Sequence, residues 1–358
     1  MKVGAAKAAA TEWVMQHASK EEWFQGAYFS GSTVEMSNDA ELSTSSDVDI
    51  VVVTALDEPP PKLGKFLYNG ALLEVTYLSW NQLSSAEKVL ANYHLAGSFR
   101  VNTIIADPTG RLRQLQSQVS QHFAEELWVR RRCENVMKKI ENGLRSIDTS
   151  APFYDQVTSW LFPTGVTTHV ILVAALRNPT VRRRYVAARE VLMEYGHLDF
   201  YSNLLELLGC THMTPQRVEE YVDELARTFD AAVTVAKTPF FFSTDITTIA
   251  RPIAIDGSRE LIRSGYHHEA VFWIVATFAR CHKILAADAP SDLQRAFTPA
   301  FENIVADLGI TSTDDIICRS QDVIRFLPRL WEIAEDILLK NPNIVTKYQG
   351  RQAVQKPY

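Results

Sequence analysis

The chain has 358 residues, 46% hydrophobic and 22% charged, which is ordinary for a soluble globular protein with room for about two domains. Thirty-six Lys and Arg against 42 Asp and Glu leave a net charge of −6, which argues against a general nucleic-acid binder. Cys133, Cys210, Cys281 and Cys318 lie far apart with no Cys-x-x-Cys pair, so neither a disulfide framework nor a zinc site is signalled and a reducing, cytoplasmic setting is expected.

The N-terminus, MKVGAAKAAATEW, lacks the apolar core of a signal peptide. AKAAATEWVMQHAS then reads as a helix. GAYFS at 26–30 and DIVVV at 49–53 read as buried strands, rich in β-branched and aromatic residues. DEPPPK at 57–62 is a proline-stiffened connector. KFLYNG at 65–70 and ALLEVTYLS at 71–79 are expected to pair around an Asn-Gly turn. A helix over SSAEKVLANYHLAG follows, with Ser84 or Ser85 as N-cap, and a last strand, VNTIIAD, closes on Pro-Thr-Gly.

Beyond Gly110 the strand signal nearly vanishes. Residues 111–147 read as one helix about 55 Å long at 1.5 Å per residue. The longest apolar run, VILVAAL at 170–176, is far below the roughly 20 residues of a membrane helix, so no membrane partner is expected. Amphipathic segments continue to about residue 340, divided at Pro179, Pro215, Pro239, Gly265 and Pro290. The expected architecture is α/β plus all-α: a mixed sheet with helices over 1–112, a larger helical bundle over 113–350, and a tail at 351–358.

The chemistry concentrates in the first part. Asp47 and Asp49 are two apart on a strand and share a face. Two acids a few ångströms apart repel by about 4 kcal/mol at an effective dielectric near 20. A cation in the gap relieves that, and carboxylate oxygens beside phosphates suit Mg²⁺. A bare Asp-x-Asp is more often a pair of solvated caps. Glu74, however, sits in the apolar run LLEVTYL, on the strand face opposite Leu73 and Val75. If its strand neighbours that of Asp49, three carboxylates converge; the alternative is an edge charge that discourages aggregation. Gly31-Ser32 follows a buried strand, where a glycine lets the backbone approach a ligand and N–H groups with a hydroxyl can grip phosphate.

Strand, Gly-Ser, loop, Asp-x-Asp strand and Glu strand together resemble the nucleotidyltransferase superfamily that includes the aminoglycoside nucleotidyltransferases. DVDIVVV is similar to its metal-binding strand, LLEVTYL to the Leu-Glu-Val-Thr strand of the streptomycin/spectinomycin adenylyltransferases, and IIADPTGRLRQLQ to the closing strand, turn and helix. The likeness covers about residues 26–120. Fourteen residues separate Ser32 from Asp47, slightly more than the family pattern, the excess lying in a polar loop.

By motif, the resemblance implies that Asp47, Asp49 and Glu74 bind Mg²⁺, and that Gly31 and Ser32 cradle the phosphates of ATP or another NTP. Glu74 would take the proton of an acceptor hydroxyl. The partners implied are the NTP and a small hydroxylated acceptor, an aminoglycoside-like antibiotic being the family's suggestion. The acceptor is expected between the two domains. Alternatives are a protein or RNA acceptor, or a nucleotide-binding regulatory or antitoxin-like module.

Other features fit plain structural roles. Arg130–Arg132, Arg182–Arg184 and Arg100 read as solvated or salt-bridged faces, because consecutive helical residues fan out. Arg263 and His268 have the Arg-x4–6-His spacing of HEPN-domain ribonucleases, set against a helix packed in the core. His267, His268 and Glu269 make a poor metal set for the same fanning reason. TPFFFSTD at 238–245 reads as a plug between helical layers, or a pocket lining.

Overall fold

A computed structural model describes residues 1–43 and 45–346; the tail expected at 351–358 lies outside the described residues. The N-terminal part runs α1 (Val3–Gln16), β1 (Phe24–Ser30), β2 (Val48–Thr54), β3 (Gly64–Tyr68), β4 (Ala71–Ser79), α2 (Ala86–Ala91), β5 (Ile104–Ala106) and α3 (Arg111–His122). The strands form one mixed five-stranded sheet in the order β3-β4-β2-β1-β5. Only β2 and β4 run parallel; every other pairing is antiparallel.

Alternation along the strands sorts the sheet's two faces. Val48, Ile50 and Val52 of β2, with Leu73 and Val75 of β4, are buried under α1, against Ala6, Ala10, Trp13 and Val14. Tyr28 and Val53 point to the other face, where Leu90, Phe99, Leu112, Leu115 and Val119 cover them. Thus α3, which straddles the boundary expected at 112, packs on the sheet. The Asn69-Gly70 hairpin forms as expected, with φ of 47° and 77°.

Two expected helices are interrupted. The one over 84–97 ends at Ala91, although Ser85 caps it as anticipated by accepting a hydrogen bond from Lys88 N–H. Asn92 then bends the chain, its Oδ1 accepting from the N–H groups of His94 (2.9 Å) and Leu95 (3.3 Å). The 55 Å helix over 111–147 is instead α3 and α4 (Glu126–Arg145), broken at residues 123–125. No Pro or Gly causes this break. The far end of the chain does: Val345 N–H donates to Ala124 O at 2.9 Å, and Glu126 N–H donates to Val345 O at 3.1 Å.

The remainder is helical: α5 (Phe153–Ala174), α6 (Arg184–Glu194), α7 (Tyr201–Leu208), α8 (Pro215–Val235), α9 (Arg251–Ala254), α10 (Asp256–Arg263), α11 (His267–Asp288), α12 (Ser291–Asp307) and α13 (Thr313–Lys340). Pro215 and Pro290 start helices as expected, while Pro163, Pro299 and Pro328 lie inside them. By length and composition α5 and α11 could each cross a bilayer, but 78% of each apolar window is buried within the helical core. A helix apolar on all sides belongs in such an interior. All four cysteines are free thiols.

Candidate functional site

The parallel register of β2 on β4 places Asp49 directly beside Glu74. Asp47 precedes β2 by one residue. One oxygen from each of Asp47, Asp49 and Glu74 lies within 4.8 Å of the others, a group able to hold a metal ion. The sheet face opposite α1 carries the cluster, at the end nearest the helical region.

Gly31 belongs to this cluster for steric reasons. Its φ of 67° and ψ of −157° suit glycine alone. A Cβ there would stand 1.8 Å from Asp49 Oδ2, so the carboxylate fills the place of the missing side chain. Ser32 opens a short 3-10 turn to Glu35 and is exposed. The long polar loop after it is held by backbone bonds to the start of the chain, with Gly4 N–H on Asn38 O and Val3 N–H on Ala40 O, both 2.9 Å. The extra loop length is thereby taken up away from the strands.

Cations surround the acids, among them Arg182, which was expected on a solvated or salt-bridged face. Lys65 stands opposite Glu74 across the β3–β4 hairpin, and its Nζ contacts Glu74 Oε2, Asp47 Oδ2 (3.2 Å) and Asp245 Oδ1 (2.8 Å). Lys62, delivered by the proline connector, pairs with Glu74 Oε1. Asp245, from the helical region, also accepts from Arg280 Nη1 at 3.0 Å. Arg182 donates to Ser45 O at 2.7 Å and lies near enough to Asp47 to feel its charge. Asn178 Nδ2 donates to Gly31 O at 3.1 Å. The helical region therefore touches both the Gly31 turn and the lysines.

Electrostatics separates the acids. Burial, then the Asp47 charge, pushes the Asp49 carboxyl up to about 7, against the pull of Lys65 and Lys62. No hydrogen-bond donor among the described residues relieves it. For Asp245 burial also disfavours the charge, but Lys65, Arg280 and Lys62 outweigh it and hold that carboxyl below its ordinary value. Lys65 is held above its ordinary value because Asp47 and Asp245 overcome its burial.

The donor set fits a hard divalent cation: oxygen ligands only, all half-buried, one of them a carboxylate drawn against a glycine.

The other sequence candidates have structural partners. Arg130 pairs with Glu126 and Glu335, as expected of a salt-bridged face. Arg132 and Arg184, by contrast, are buried; Arg132 donates to Leu90 O and Phe123 O, and Arg184 lies over the Phe272 ring. Arg100 binds Leu176 O at 2.7 Å. Arg263 is exposed and bonds within its own helix, while His268 Nε2 meets Met213 O, so the two have separate partners. Glu269 accepts from Tyr201 OH at 2.7 Å. In TPFFFSTD, Phe242 is buried against Phe240 as a plug, Phe241 is 78% exposed, and Asp245 reaches the site.

Compared with models of known protein families and with curated proteins, the sequence matches none.

Proposed function

We propose that this protein is a nucleotidyltransferase that moves a nucleoside monophosphate, AMP from ATP, onto a hydroxyl of a small molecule, with Mg²⁺ as its metal. The observation that carries the reading is the register pairing of Asp49 with Glu74, which gathers three carboxylates over the Gly31 turn. The sheet order and the helical region beside it are consistent with a nucleotidyltransferase-like domain followed by a helical domain that supplies the acceptor side.

In this reading Asp47 and Asp49, with Glu74, would hold the divalent ion, which supplies charge neutralisation at the phosphates. Gly31 and Ser32 face the phosphate tail. Glu74 takes the proton from the acceptor hydroxyl. The acceptor oxygen bonds to the α-phosphorus, the bond from that phosphorus to the β-phosphate bridge breaks, and pyrophosphate leaves. An aminoglycoside-like acceptor follows from the resemblance alone.

The test incubates the protein with α-labelled ATP, Mg²⁺ and a panel of hydroxylated acceptors. Acceptor-dependent pyrophosphate release is expected, and it should disappear in the Asp47→Ala, Asp49→Ala double variant. Unchanged release in that variant removes these residues from the reaction. A second reading, a nucleotide-binding regulatory or antitoxin-like module, draws on one observation: Glu74 already has a lysine on each oxygen, as a purely structural acid would. Metal-dependent ATP binding without turnover on any acceptor would favour it.

A further inference from the structure

We propose that Lys62 and Lys65 are exchangeable counter-ions, so that the carboxylate site takes a divalent metal and a polyphosphate together as one unit and rejects the metal alone. The inference rests on the transferase reading of this site and concerns how it is loaded.

Acids and bases interleave in the cleft: Asp47, Glu74 and Asp245 contact Lys62, Lys65 and Arg280, with Asp49 beside them. The lysine ammonium groups contact the same Glu74 and Asp47 carboxylates that the metal would use. A bare divalent ion entering there meets two ammonium groups with no anion to receive them, and like charges at that range repel strongly. A metal that arrives bound to a polyphosphate brings the anion with it. Each lysine can then leave a carboxylate for a phosphate oxygen, keeping its charge paired, while the carboxylates turn to the metal.

The chain is built for such an exchange at Lys62 more than at Lys65. Lys65 has Asp47 and Asp245 as further partners and is 9% exposed. Lys62 has Glu74 alone, is 28% exposed, and hangs from Pro59-Pro60-Pro61, a segment that limits where the ammonium group can go.

The test is calorimetric and uses the full-length protein with three titrants: MnCl₂ alone, α,β-methylene-ATP with EDTA, and the preformed manganese complex of α,β-methylene-ATP. The expected result is that the complex binds at least about tenfold tighter than either part, within the usual range of coupling between sites. Lys62→Met should tighten MnCl₂ alone by about tenfold and weaken the metal-free nucleotide, and Lys62→Arg should behave as the wild type. Equal affinity of the wild type for free manganese and for the complex overturns the proposal. So does a Lys62→Met protein, folded by circular dichroism, whose affinity for manganese alone is unchanged. If Lys62→Met does not fold, the three wild-type titrations decide alone. Independent binding of metal and nucleotide, with pyrophosphate release intact, overturns the exchange and leaves the transferase standing. Failure of the wild type to bind any of the three titrants overturns both.

Discussion

Gly31→Ala places the heaviest demand on the site geometry. At φ 67° and ψ −157° an alanine occupies a region costing about 1–3 kcal/mol in backbone strain. A stiffer unfolded chain returns only about 0.4–1 kcal/mol. The new Cβ would also stand 1.8 Å from Asp49 Oδ2 and 2.6 Å from its Cγ. The backbone cannot move apart easily, because Ser30 and Asp49 are paired in the β1–β2 ladder. The Asp49 side chain must swing away from Asp47 and Glu74. Displacing a ligand should cost at least the 10–100-fold in metal affinity, on the order of 1.4–2.7 kcal/mol, that loss of a supporting partner usually costs. Thermal unfolding with and without the manganese complex of α,β-methylene-ATP reads both effects, since saturating ligand stabilises the folded state by mass action. Gly265→Ala is the control: its φ is 84°, yet nothing lies within 4 Å of the added carbon. Both variants should lose intrinsic stability, and only Gly31→Ala should lose the gain from the complex. A Gly31→Ala protein that keeps the whole gain refutes the placement of Asp49 against the turn.

Asp49→Asn should stabilise the metal-free protein while removing its metal binding. The folded state raises the Asp49 carboxyl to about 7, so the stability this group contributes is complete below its unfolded value near 3.8 and is lost as pH rises through 7. Asparagine escapes that loss, so urea midpoints of the two proteins should diverge as pH rises from about 4 to 7, the variant lying higher and the gap levelling off above 7; equal midpoints at pH 8 would show that the carboxylate is not strained. Burial pushes His282 down to about 4, and its ring lies 4.8 Å from that of Phe301, tilted by 30°. A base depressed on folding contributes stability that is complete above about 6.5 and lost as pH falls towards 4, here about 2–3 kcal/mol. His169, depressed in the same direction by its burial, adds to the loss. Comparing denaturant midpoints at pH 7 and pH 4.5 should show a smaller drop in His282→Leu than in the wild type.

The legible parts of the fold are those set by local rules. Alternation in DIVVV and LLEVTYL assigns each side chain to a face, and Asn69-Gly70 sets the hairpin. The convergence of Asp47, Asp49 and Glu74 needed one further fact, that β4 lies beside β2, which motif likeness suggested and the parallel register supplies. Lys65 was within reach of the same logic: counting out from the turn, Tyr68 meets Ala71 and Lys65 meets Glu74. Asp245, Arg280 and Arg182 were not, because they approach from elements more than a hundred residues away. The break at residues 123–125 was equally hidden, since Val345 makes it. Local periodicity carries no information about such distant partners.

The pairing of Glu74 with two lysines decides how the site can work as a base. With an ammonium group on each oxygen, Glu74 has neither oxygen free to face an acceptor hydroxyl. Transfer therefore needs both lysines elsewhere, and Lys65 has somewhere to go: Asp245, itself fixed by Arg280. Asp245 thus anchors the site by joining a strand at the sheet's edge to the helical region. Removing its charge leaves Lys65 and Arg280, which are 9% and 11% exposed, without their shared acid. Breaking a buried pair in this way typically costs about 3–5 kcal/mol, because the remaining charges stay desolvated. Asp245→Asn should lose stability of that order in denaturant unfolding, and Arg280→Met added to it should recover part of the loss. If the single variant is as stable as the wild type, Asp245 is not the anchor, and Lys65 must be held by Glu74 and Asp47 alone.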